Sequence, residues 1–160
     1  MEEGTLNVVF ASSDWRARLL SNFAHTPFVL WEERFASVEG FWQGLKFPEG
    51  SPEQKRVFGL WGYEAKKAGR RAPKRDTFTW RGAVYRVGSP EHHRLMRQAL
   101  EAKFAQSVEA RRALLATAGL VLVHELPRDS VTIPGRIFVG MLMEIREALL
   151  ARAGGSVGEK

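Results

Sequence analysis

Glu39, Trp42, Gln43 and Lys46 stand at i, i+3, i+4 and i+7, so on a helix beginning near Val38 they share one face. A carboxylate, an indole, an amide and an ammonium make a poor core stripe. As a pocket wall they offer a charge, a stacking surface and orienting polar groups. Phe41 and Leu45 lie beside the stripe and can anchor the helix to a core. The same spacing also fits an exposed amphipathic helix carrying two separated charges.

Other chemistries find less to work with. The histidines are His25, His92, His93 and His124, and no pair has helical metal-ligand spacing. His92 and His93 are adjacent, so they point about 100° apart on a helix and read as polar helix surface. There is no phosphate-cradling glycine loop and no nucleophile elbow. The absence of cysteine removes disulfides, thiolate nucleophiles, iron–sulfur clusters and cysteine zinc sites. The chemistry expected is therefore that of carboxylates and amides, with no metal and no cofactor.

The chain has 160 residues, 44% hydrophobic and 26% charged, which fits one ordinary globular domain rather than a disordered or fibrous chain. No apolar run approaches the roughly 18 residues of a membrane span. The start, MEEGTLNVVF, is acidic and lacks a basic-then-apolar signal pattern, so a cytoplasmic location is expected. The net charge of +6 is local: Lys66, Lys67, Arg70, Arg71, Lys74 and Arg75 place six basic residues within residues 66–75. Such a patch could meet phosphate or nucleic acid, or be a solvated helix end and loop.

The elements that must position the stripe can be read from apolar periodicity and stop signals. Residues 6–10 and 27–31 read as strands, the second pairing near Arg34 and Phe35. Ser37 caps a helix through Phe47. Ser51, Pro52 and Gln54 open another in capping-box style, running to about Lys67 and stopped by Gly69. Residues 77–87 form a hairpin turning at Arg81 and Gly82. Ser89 and Pro90 open a helix to about Gln106, and Ser107 caps one through Leu115. Residues 119–126 read as a buried strand, and a last helix spans about 135–152. The fold class expected is α+β: a single compact, helix-rich domain over residues 1–153 with a small β-sheet, followed by a flexible tail at 154–160.

Several blocks in order carry a resemblance: Leu20-Ser21-Asn22-Phe23, Pro27-Phe28, then Ser37-Val38-Glu39 with Trp42-Gln43 and Lys46-Phe47. They continue with Met96, Ala99-Leu100, Lys103-Phe104-Ala105-Gln106, Leu114-Leu115-Ala116-Thr117, Leu122-Val123-His124-Glu125 and Asp129, and close with residues 140–146. Over residues 20–150 the chain resembles the YbiA-like (NADAR) N-glycosidases. The resemblance implies a largely helical α+β fold and metal-independent hydrolysis of N-glycosidic bonds to ribose. Substrates in that family include ribosylamino-pyrimidine phosphates of riboflavin synthesis and ADP-ribose attached to a nucleobase.

Breaking a C1′–N bond builds positive charge on ribose, as in the oxocarbenium-like transition state of other glycosidases. Glu39 is the first candidate for the carboxylate that stabilises this charge or positions water. By resemblance, Asp129 after the strand is a second catalytic carboxylate. The segment around it also reads as a turn. Trp42 is the candidate to stack on the leaving base, with Trp80 as a further candidate ring. Lys46 or Arg86 could hold a 5′-phosphate, and Asn22 and Gln43 could orient ribose hydroxyls or base edges. The expected partner is thus a small phosphorylated ribosyl substrate. The alternative is a catalytically inactive module that binds ADP-ribose-like ligands or nucleic acid through residues 66–75.

Overall fold

The computed structural model describes residues 4–158, with side chains through Ala153. Its first strand, β1 (Thr5–Asn7), pairs in parallel with β6 (Val121–Val123), bringing two distant segments together. The Asn7 side chain extends this ladder by clamping the Glu125 backbone, accepting its N–H at 2.8 Å and donating to its carbonyl at 3.2 Å. A short helix not anticipated from the sequence, α1 (Trp15–Leu20), follows. Asp14 caps it by accepting the Arg16 N–H. At only six residues, its apolar period is too short to announce a helix.

Strands β2 (Phe28–Leu30) and β3 (Glu33–Phe35) form an antiparallel hairpin, as anticipated. Helix α2 (Val38–Leu45) starts where Ser37 Oγ accepts the Gly40 N–H. The single helix expected from Ser51 to Lys67 is in fact two, α3 (Pro52–Phe58) and α4 (Gly62–Gly69). The break has a local cause. Carbonyls that would continue α3 are taken elsewhere: Phe58 O accepts the Ala36 N–H and Leu60 O accepts the Ser37 hydroxyl. Gln54 also departs from the capping box. Buried, it bridges the end of α2, donating to Gly44 O and accepting the Gly50 N–H.

The hairpin β4 (Thr77–Trp80) and β5 (Ala83–Arg86) turns at Arg81 and Gly82, both with positive φ. Then come α5 (Pro90–Gln106), α6 (Val108–Leu115) and, after β6, α7 (Gly135–Gly158). The last helix runs past the end expected near Arg152, with no proline to stop it. Most of the segment read as a flexible tail is therefore helical, and residues 159–160 lie outside the described residues. Among the described residues there are three separate two-stranded ladders instead of one small sheet. The strand read over 119–126 is only three residues long, with Val121 exposed.

The α+β fold is held by an aromatic-rich core. Phe28, Phe35, Phe41 and Phe58 are all buried, with ring centroids 4.7–6.1 Å apart in successive pairs. Leu20, Leu100, Phe104, Leu114 and Leu142 tie α1, α5, α6 and α7 to the same cluster. Each such side chain contributes on the order of 1.5–3 kcal/mol when buried. Among the described residues no helix is long and apolar enough to cross a membrane.

Candidate functional site

Helix α2 presents two faces with different tasks. Val38, Phe41 and Leu45 are buried in the core, whereas Glu39, Trp42, Gln43 and Lys46 line one cavity of about 400 Å³. The stripe predicted from spacing is thus a pocket wall. Asn22 joins it from the turn after α1. The opposite walls come from Phe10 and Phe23, from Tyr63 and Lys66 of α4, and from His124, Ser130 and Thr132 around β6.

Glu39 is the pocket's carboxylate. Desolvation pushes its pKa above the usual carboxylate range, opposed by the hydrogen bond from Gln43 and by the charges of Lys46 and Lys66. Lys46 is shifted the other way: burial lowers its ammonium, the nearby Glu39 raises it, and Lys66 lowers it again. Gln43 is itself buried because Gly69 of α4 has no side chain. A Cβ there would lie 1.6 Å from Gln43 Oε1. Gly40 permits the same closeness on the neighbouring turn, since a Cβ there would lie 2.4 Å from Leu60 O.

Two ring–ammonium pairs flank the carboxylate. Lys46 Nζ sits 5.1 Å from the Trp42 ring centroid, and Lys66 Nζ sits 6.0 Å from that of Phe23. Phe23 in turn meets Tyr63 edge-on at 5.1 Å, and Tyr63 is 62% exposed, so the mouth of the pocket is aromatic. Trp42 is backed by His92, with centroids 4.4 Å apart. The adjacency of His92 to His93 predicts polar surface, but His92 is fully buried against Trp42 and Phe78. Its Nδ1 accepts the Gly88 N–H, and burial lowers its pKa to about 4. His93 holds the opposite wall, its Nε2 bonded to Thr132 O at 2.8 Å.

Three expected site residues lie elsewhere. Asp129 is exposed, and its Oδ1 accepts the backbone N–H of Ser130 and of Gly135, the first residue of α7; its neighbours Ser130 and Thr132 line the pocket instead. Trp80 is a core ring, 5% exposed and packed on Trp31, Phe41 and Phe58. Arg86 is exposed on β5, away from the lining.

Tyr63, Lys66 and His124 also line the pocket, and none of them is marked as a pocket residue by its sequence pattern. Tyr63 and Lys66 stand at i, i+3 on α4, a signal hidden by grouping Lys66 with its basic neighbours. His124 follows β6, where Nδ1 donates to Val8 O, which leaves Nε2 as the other ring nitrogen.

Residues 14–147 match the family described as bacteriophage protein GP30.3. A relative from Enterobacteria phage T4, an uncharacterized 17.1 kDa protein in the Gp30-rIII intergenic region, is 36% identical over 142 residues. That match covers 84% of this chain and 93% of the relative. The NMR structure of the E. coli protein YbiA superimposes with a TM-score of 0.65 at 26% identity, covering 96% of this chain and 89% of that one.

Proposed function

The chain belongs to the bacteriophage protein GP30.3 family and is YbiA-like (NADAR-type) in fold, and we propose that it hydrolyses the N-glycosidic bond of a phosphorylated ribosyl compound. One observation carries this reading: a lone desolvated carboxylate, Glu39, lines the pocket with Trp42, Gln43, Lys46 and Lys66.

In the proposed reaction the C1′–N bond breaks and its electron pair leaves with the base. Positive charge grows on C1′ and the ring oxygen, and the Glu39 carboxylate opposes it in a site of low dielectric. Water forms the new C1′–O bond and yields a proton toward Glu39, while the base nitrogen is protonated from solvent. Gln43 holds the carboxylate, donating from Nε2 to Oε2 at 2.6 Å. Trp42 supplies the face on which a flat heterocycle stacks. Lys46 and Lys66 are the cations for phosphate, and Asn22 offers a buried Oδ1 with no hydrogen-bond partner to a ribose hydroxyl.

Asp129 is left out of this mechanism because both of its hydrogen bonds are to backbone amides of its own loop and of α7. The substrate candidates are a ribosylamino-pyrimidine phosphate and an ADP-ribose-linked base, met in the cytoplasm. The test is incubation of the protein with ribosylamino-pyrimidine phosphate, NAD, ADP-ribose and ADP-ribosylated DNA. Release of a free base or sugar from any of them supports the reading. Binding without release from all four would favour the inactive binding module.

A further inference from the structure

Lys103 is a lysine with 0% of its surface exposed, in the last turn of α5. Its Nζ has one hydrogen-bond partner among the described residues, Ser21 O at 3.0 Å, and lies 5.2 Å from the Phe104 ring centroid. Among the described residues no carboxylate balances it, and desolvation lowers its pKa to about 7. Burying an amine on these terms is costly, and an apolar side chain of similar volume would fill the space with less penalty. The amine therefore provides something other than packing.

What it provides is visible at the carbonyl it reaches. Ser21 ends α1 and begins a tight turn in which Ala24 N–H also bonds Ser21 O and Phe23 N–H bonds Ser21 Oγ. Each following carbonyl receives the start of a different helix. Asn22 O accepts the Glu39 N–H of α2 at 2.9 Å, and Phe23 O accepts the Gly62 N–H of α4 at 2.9 Å. Helix N-termini carry amides with no partner inside the helix, so a fixed pair of carbonyls is a docking point for both. The two helices docked there carry Glu39 on one side of the pocket and Tyr63 and Lys66 on the other.

We propose that Lys103 is a positioning residue for this pocket: by donating to Ser21 O it fixes the turn at residues 21–23 on which α2 and α4 dock, and so sets Glu39 against Lys66. The catalytic consequence rests on Glu39 being the reacting carboxylate. The geometric consequence does not.

The test uses Lys103→Met in the full chain, which keeps the length of the side chain and deletes the donor. Amide hydrogen exchange, thermal midpoint and turnover are read together. Glu39 and Gly62 amides should exchange about tenfold faster or more, while amides of the α6 interior such as Leu114 keep their protection. The thermal midpoint should hold or rise, because the buried amine is gone. On whichever substrate the wild type turns over, kcat/KM should fall about tenfold or more, as expected when the catalytic carboxylate and the phosphate-binding lysines are displaced together.

Unchanged exchange at Glu39 and Gly62 would overturn the proposal. So would a lowered midpoint with uniform loss of protection, which would make Lys103 simple structural support. Lys103→Leu repeats the deletion with a different shape, and failure of both variants to fold would count against the proposal in the same way. A wild type inert toward every substrate would defeat the N-glycosidase reading while leaving the exchange result to decide the role of Lys103.

Discussion

Gln43 reaches back one turn of α2 to hold Glu39, its Nε2 donating to Oε2 at 2.6 Å within the pocket wall. The bond favours the ionised carboxylate in a place where desolvation disfavours it. Glu39→Gln should therefore keep the fold and lower turnover by about 2–4 orders of magnitude, the range of a lost acid–base or electrostatic group. It should also hold or raise stability at neutral pH. The folded state binds the Glu39 proton more tightly than the unfolded state, so above the raised pKa the ionised group weighs against folding. Turnover and thermal midpoint measured on the same variant check both halves.

The same electrostatics sets a pH dependence. Turnover requires ionised Glu39, so it should fall on acidification, beginning above the usual carboxylate range. Lys66 helps to hold that pKa down, so Lys66→Gln should move the acidic limb of the pH–rate profile to higher pH. An acidic limb that stays put or moves down would remove Lys66 from the electrostatics of Glu39.

Asp129 offers a contrast between two carboxylates. Its oxygen serves the amides of Ser130 and Gly135, so its work is to hold the loop and the start of α7. Asp129→Ala should cost about 1 kcal/mol of stability, as for the loss of a helix cap. It should reduce turnover far less than Glu39→Gln does. A loss of turnover equal to that of Glu39→Gln, with stability intact, would return Asp129 to the chemistry.

His92 should make the protein acid-sensitive. Its pKa is lowered from 6.5 to about 4 by burial first and by His93 second. The unfolded state thus binds the proton more tightly, and stability is lost as pH falls from about 6.5 toward 4. The full loss is on the order of 3 kcal/mol. Denaturant midpoints measured across that window should fall steeply for wild type and less so for His92→Phe. The wild-type loss should be accompanied by a change in tryptophan fluorescence, since Trp42 rests on this ring.

The stripe on α2 was legible because a helix repeats every 3.6 residues, so four polar side chains at that spacing must share a face. Cap signals placed α5 and α6 for a similar reason: a serine with its acceptor oxygen and a proline act locally. What was not legible depends on contacts between distant segments. The break before α4 arises from carbonyls captured by Ala36 and Ser37. His92 is buried because Trp42 and Phe78 arrive from two other elements. Asp129 follows a strand as resemblance implied, but where its carboxylate turns is set by the amide of Gly135, which no local pattern announces.

The basic segment divides once its residues are placed. Lys66 lines the pocket and Lys67 pairs with Glu64 at 3.0 Å, which leaves Arg70, Arg71, Lys74 and Arg75 exposed beyond α4. If these four bound nucleic acid together, released counterions would give log affinity a slope near −3 to −4 against log salt, by about one unit per phosphate. The segment holds no aromatic residue to stack on bases, which single-strand binders set beside their charges. A short oligonucleotide should therefore show weak binding with a slope well short of that range. Lys74→Ala and Arg75→Ala should leave turnover of a small substrate unchanged. Lys66→Gln should weaken that substrate, because one or two phosphates inside a partly desolvated pocket depend on the few cations that line it. A steep slope that flattens in Lys74→Ala and Arg75→Ala would instead make the exposed four a nucleic-acid surface, with the pocket serving what that surface delivers.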